Sequence, residues 1–176
     1  MPDFAVTAIG QDRPGIVAAI SGALFELGGN IEDSQMSILG AHFAVMLIVR
    51  VPAGVSREQL AERLGVVRDR LGLEAITFND VGELPAEVAH PTHVLSVYGS
   101  DHPGIVHSVT AALAERGVNI TDLETRVTGG DEPLYAMIME VALGEAEAAG
   151  IEEALREVAG RERVDVSLRP IDADAL

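Results

Sequence analysis

The sequence predicts an α+β chain made of two copies of one βαββαβ unit in tandem, and three observations carry that expectation. First, sliding the chain by 89 positions lays Gly10-Gln11-Asp12-Arg13-Pro14-Gly15-Ile16-Val17 over Gly99-Ser100-Asp101-His102-Pro103-Gly104-Ile105-Val106, with two of the eight positions different. Second, short β-rich runs and helical periodicities follow one another in the same order in both halves. Third, Asp80 to Pro91, with two prolines and a glycine, has the composition of a linker.

The register between the copies persists through Ala23-Leu24 with Ala112-Leu113, Gly28 with Gly117, Asn30-Ile31 with Asn119-Ile120 and Asp33 with Asp122. The second copy then carries extra residues around Gly129-Gly130-Asp131-Glu132, which implies a longer hairpin loop. Phe4 to Ile9 and His93 to Tyr98 read as first strands, each ending at a glycine, a polar pair and a proline. Pro14 and Pro103 suit the first turn of a helix, and Gly28 and Gly117 the position just past its end. Between them Ile16, Ile20, Leu24 and Leu27 recur at helical spacing, as do Ile105, Val109 and Leu113.

Asn30 to Leu39 alternates weakly and Phe43 to Val49 is continuously apolar, which predicts an edge strand beside a central strand covered by helices. Asn119 to Thr128 and Leu134 to Leu143 repeat the pair. Ser56 with Gln59 makes a capping-box pattern that opens a second helix, and Leu73 to Phe78 reads as the last strand. In the second copy the corresponding elements run from about Glu147 to Val158 and from Val164 to Leu168. Each unit is therefore ferredoxin-like, βαββαβ. The expected organisation is residues 1–80, a linker at 81–91, a second unit at 92–170 and an acidic tail at 171–176.

Composition narrows the function. Apolar residues make up 48% of the chain and charged residues 23%, as in a folded globular protein. Twelve Lys and Arg against 28 Asp and Glu leave a formal charge of −16, a field that repels nucleic-acid phosphates and anionic membranes. Direct nucleic-acid binding is not expected. With no cysteine there is no disulfide, thiolate metal site or Cys nucleophile. Met1-Pro2-Asp3 leads into a strand without a secretory-leader pattern, and the longest apolar run, Phe43 to Val49, is too short to span a bilayer, so a cytoplasmic, non-membrane protein is expected.

The histidines do not suggest a metal site: His102 and His107, five apart, fall on different faces of a helix. Ser100-Asp101-His102 holds triad residue types, but neighbours in one loop cannot adopt triad geometry. No catalytic residue, metal or cofactor is assigned.

The informative motif is the strand-to-helix loop Gly-x-Asp-x-Pro-Gly-Ile-Val, followed some thirteen residues later by Gly-x-Asn-Ile-x-Asp. The first amides of a helix lack intrahelical acceptors and sit at the positive end of its dipole, so a ligand carboxylate can take their hydrogen bonds. Gly15 and Gly104 let such a ligand approach the backbone. Asn30 and Asn119 offer a donor and an acceptor, and Asp12 and Asp101 can receive an ammonium group. The plainer alternative stands beside this one: Asp before Pro-Gly also serves as a helix cap, and Gly-x-Asn as a turn.

On these residues the chain resembles ACT domains, the small-molecule-sensing modules of amino-acid metabolism. As a pair of such domains with nothing attached, it resembles the family of glycine cleavage system transcriptional repressors. The resemblance implies a ligand held between two domains, touching the loop and helix start of one and the second strand of its neighbour. Carried over by position, Asp12, Arg13, Gly15, Ile16, Val17, Asn30 and Ile31 would line one site. Asp101, His102, Gly104, Ile105, Val106, Asn119 and Ile120 would line the other. The implied function is non-catalytic: binding a small amino acid such as glycine and modulating a protein partner such as a transcription factor. A different expectation is a ligand-free assembly subunit that uses its sheet edges to organise an enzyme. The edge strands Ile31 to Leu39 and Ile120 to Val127 must be paired, covered or blunted, which predicts pairing between copies or chains and a homodimer.

Overall fold

A computed structural model describes residues 3–82, 89–129 and 133–171 of the 176-residue chain. Parts of three expected segments lie outside the described residues: 83–88 of the linker, 130–132 of the longer hairpin and 172–176 of the acidic tail. The chain divides into two units, Met1–Pro85 and Ala86–Leu176.

The first unit runs β1 (Asp3–Gln11), α1 (Ile16–Glu26), β2 (Asn30–Leu39), β3 (His42–Arg50), α2 (Arg57–Leu71) and β4 (Ala75–Val81). The second repeats it as β5 (His93–Ser100), α3 (Ile105–Ala114), β6 (Asn119–Val127), β7 (Leu134–Ala142), α4 (Ala148–Glu162) and β8 (Val164–Pro170). Each sheet is antiparallel, with the orders β2-β3-β1-β4 and β6-β7-β5-β8, so both units are ferredoxin-like. β2 and β6 are edge strands, as their weak alternation predicts.

The core of the first unit lies between one sheet face and its two helices. Phe4, Val6 and Ala8 of β1 and Phe43, Val45, Leu47 and Val49 of β3 point inward, against Ile16, Ile20 and Leu24 of α1 and Leu60, Leu64 and Val67 of α2. Leu95 and Val97, Met137 and Met139, Ile105, Val109 and Leu113, and Ile151, Leu155 and Val158 build the second core in the same way.

One expectation is refined and one corrected. Phe43–Val49 is an inner strand covered by helices on one face: its burial alternates, and Met46 remains 53% exposed on the face away from the helices. The continuous apolar run reflects a second, open apolar face rather than two helical layers. Pro14 and Pro103 do not lie in the first helical turn. Gly15 and Gly104 adopt φ of 93° and 108°, a left-handed conformation that interrupts the path from proline to helix, so α1 and α3 begin at Ile16 and Ile105.

Two boundaries also move. The first unit's last strand starts at Ala75, after Leu73 has turned into the core beyond the left-handed Gly72. Helix α4 continues past Val158 to Glu162, where Arg163 ends it in a left-handed C-cap.

Candidate functional site

The strand-to-helix loops bring Asp12, Arg13, Gly15 and the first amides of α1 to one end of the first unit, and Asp101, His102, Gly104 and the first amides of α3 to the same end of the second. Backbone bonding within these helices begins with Ala19 N–H to Gly15 O and Ser108 N–H to Gly104 O, both 2.9 Å. The three preceding amides, at positions 16–18 and 105–107, therefore have no intrahelical acceptor. Neither helix has a side-chain cap. Helix α2 differs: Ser56 and Gln59 form a complete capping box there. Glycines, not Asp12 and Asp101, hold the N-cap positions, while Gly28 and Gly117, at φ of 71° and 70°, do turn the chain ahead of Asn30 and Asn119 as the plainer alternative has it. The side chains of Ile16 and Ile105 are core, so only their backbone can meet a ligand, while those of Val17 and Val106 remain exposed.

Within a unit the asparagine is not beside this mouth. Asn30 pairs with Arg50, which pairs with Asp3 at the start of β1, whereas the mouth follows Gln11 at the end of β1. An 11-residue helix separates the two ends, about 16 Å. Asn119 stands in the same way beside Ala142 at the start of β5. The Asn30 end borders an open groove of about 500 Å³ between α1 and β2, lined by Ser21, Gly22, Phe25, Asn30 and Ile31 among others. Both copies carry a bulge just after the asparagine, between Ile31 and Asp33 and between Ile120 and Asp122. Each unit therefore places its two groups of candidate residues at opposite ends.

The two copies differ in charge. In the first, the Arg13 guanidinium faces the C-terminal end of α2, with Nη2 3.4 Å from where a Cβ on Gly72 would sit, and nothing lies within 4 Å of such a Cβ on Gly15. In the second, His102 Nε2 meets the Glu162 carbonyl at 2.8 Å and Nδ1 the Pro103 carbonyl at 3.2 Å. Carbonyl oxygens only accept, so both bonds need the protonated ring. The Glu162 carbonyl bond raises the His102 pKa most, then that of Pro103, with smaller help from the charges of Glu162 and Asp101.

The Glu162 carboxylate accepts from Ser108 Oγ at 2.6 Å, stands 4.0 Å from His102 Nδ1, and lies 3.4 Å from Arg161 Nε. The Ser108 bond, followed by Arg161, lowers its pKa.

Three polar residues were missed in the sequence. Ser108 and Glu162 stand where the first copy has Ala19 and Leu71, a paired change that becomes visible once α2 and α4 are aligned at their left-handed C-caps. Arg50, bonded to Asp3 at 2.9 and 3.2 Å and 3.5 Å from Glu32, flanks Asn30 and has Ala142 as its counterpart. It was hidden at the end of an apolar strand.

Comparison with known proteins fits this architecture. An ACT-domain profile matches residues 3–77, and a second ACT-domain profile matches residues 93–160. The chain is 28% identical over 158 residues to the glycine cleavage system transcriptional repressor of Escherichia coli K12, covering 86% of this chain and 80% of the relative. It is 44% identical over 72 residues to a UPF0237 protein of Methanopyrus kandleri, covering 40% of this chain and 80% of that protein. A crystal structure of an unknown protein from Galdieria sulphuraria superposes with a TM-score of 0.82 at 30% identity, over 97% of this chain and 98% of the other.

Proposed function

Because this chain belongs to the ACT-domain family, we propose that it is a non-catalytic regulatory protein that binds a small amino acid such as glycine and alters its contact with a protein partner, for which a transcription factor is the preferred class. The observation that carries this reading is the helix mouth opened by a left-handed glycine, with three amide donors free of side-chain caps, repeated in both copies; α4 also lacks a side-chain cap but starts from an extended Glu147 and has no such glycine. A ligand carboxylate supplies the missing acceptor, and Asp12 or Asp101 answers its ammonium group.

Asn30 and Asn119 stand a helix length from their own mouths, so neither completes the mouth of its own unit. The acidic balance favours a protein partner over direct contact with DNA. At a ceiling of about 1.5 kcal/mol per heavy atom, glycine gains at most about 7.5 kcal/mol, a low-micromolar dissociation constant, which suits sensing of metabolite levels.

The test is thermal unfolding against the twenty amino acids at millimolar concentration. A ligand that binds only the folded chain raises Tm, by the equivalent of about 2.7 kcal/mol at a hundredfold excess over Kd. The double variant Asn30→Ala with Asn119→Ala should remove that rise without moving the ligand-free Tm, because both side chains are exposed and, among the described residues, Asn30 bonds to Glu32 alone. A flat panel would sink the sensing proposal in favour of an assembly subunit, for which the bare edges of β2 and β6 offer the surface.

A further inference from the structure

The polar cluster His102, Ser108 and Glu162 has no counterpart in the first copy, and it stands at the mouth of α3. One Glu162 carboxylate oxygen is held by Ser108 Oγ at 2.6 Å, in the first turn and a half of α3. The other lies 4.0 Å from the point a Cβ on Gly104 would occupy. The side chain is only 16% exposed, so this is a fixed charge rather than a waving one. At the first mouth the corresponding positions are Ala19 and Leu71, both packed against the core, and among the described residues nothing beyond the chain neighbours lies within 4 Å of the point a Cβ on Gly15 would occupy.

A carboxylate belonging to the protein does two things where a ligand carboxylate would dock. It occupies part of the positive field at the helix start, and it repels a second anion a few ångströms away.

We propose that Glu162 is a specificity-determining residue that closes the α3 mouth to carboxylate ligands, leaving the α1 mouth as the single amino-acid-competent mouth in each chain. The inference rests on the amino-acid-binding reading above and names which copy performs it. His102 belongs to the same device: its ring bonds the main-chain carbonyl of Glu162 and faces the carboxylate, which fixes the end of α4 against the loop. Arg161 and Asp101 are the other charged groups near the pair. In the first copy the equivalent cation, Arg13, faces the end of α2 and has no carboxylate partner at Leu71. The polar second mouth is then a structural relic of the duplication, or a port for an uncharged or cationic group, but not for a zwitterion's carboxylate.

The experiment is amide chemical-shift mapping of the full 15N-labelled chain with glycine, alanine and serine in turn, at millimolar concentration. The expected result is movement of the Ile16, Val17 and Ala18 amides and none at Ile105, Val106 and His107. In the double variant Ser108→Ala with Glu162→Leu, which copies Ala19 and Leu71, the second set should respond too, with affinity at that mouth gained roughly tenfold or more. Glu162→Gln keeps the size and the Ser108 hydrogen bond while removing the charge, so a gain there assigns the closure to charge rather than volume and covers the case in which the double variant fails to fold. Movement of both sets in the wild-type chain overturns the proposal while leaving amino-acid binding intact. Movement of neither set overturns the binding reading itself, and this inference with it.

Discussion

The side chain at position 102 illustrates how much of the site depends on one substitution. Arg13 and His102 occupy the same place in the motif, yet only the histidine titrates near neutrality. Its folded pKa is raised, chiefly by the Glu162 carbonyl, above the ordinary value of about 6.5, so its contribution to stability is complete below about pH 6.5 and is lost as pH rises through the raised folded value. Glu162 has the opposite sign: its pKa is lowered, chiefly by Ser108, so its contribution is present above the usual carboxylate range and is lost as pH falls through the lowered folded value. Urea unfolding of wild type and His102→Gln should therefore differ most at mildly acid pH, below the ordinary value of about 6.5, and converge as pH rises through the raised folded value. A difference that stays constant over that range would show that the ring acts by packing alone. The motif residues themselves were legible from the repeat, including the asymmetry of Arg13 and His102. Glu162 and Ser108 were not, because their meaning lies in a contact across 54 positions that no local spacing encodes.

At the level of elements, the first unit contains a helix that caps itself and one that does not, and the two starts respond differently to substitution. Ser56 and Gln59 satisfy the first donors of α2, so Ser56→Ala should cost about 1 kcal/mol in the urea unfolding of the first unit. Asp12 makes no side-chain cap on α1, and Asp12→Ala should stay within about 0.5 kcal/mol of wild type in the same measurement while weakening amino-acid binding. A cost near that of Ser56→Ala would return Asp12 to a structural role. Strand and helix identities were readable because periodicity 2 and periodicity 3.6 are written in side chains such as Val6 and Ala8 or Ile16, Ile20 and Leu24. Where each helix begins was not: Pro14 promises a first turn, and only the left-handed Gly15 shows that the chain has not yet entered it. The separation of Asn30 from its own mouth was likewise unreadable, since sequence proximity across a helix means distance in space along its axis.

On the whole molecule, edge exposure and net charge act against each other. Every residue of β2 is exposed, and Met36 and Ile38, at 47% and 52%, present apolar surface beside an unpaired ladder. Such an edge favours pairing with another strand. Each chain, however, carries a formal charge of −16, and Glu32 and Asp33 bring part of it to that edge, so two copies repel at long range. Salt shortens the reach of this repulsion, from about 30 Å at 0.01 M to about 8 Å at physiological strength, and leaves apolar and main-chain contacts in place. We therefore predict a homodimer whose association strengthens as salt is added from low ionic strength. In sedimentation equilibrium the weight-average mass should rise from near the 18.5 kDa of one chain toward twice that value over this range. The double variant Met36→Lys with Ile38→Lys places cations on the edge at positions that carry little of the monomer's packing, so it should keep the wild-type unfolding profile and the single-chain mass at both salt levels. If the variant dimerises like wild type, the β2 edge is not where copies meet. If wild-type association weakens as salt is added, charge attraction between unlike patches, rather than apolar edge pairing against a common repulsion, holds the two chains together.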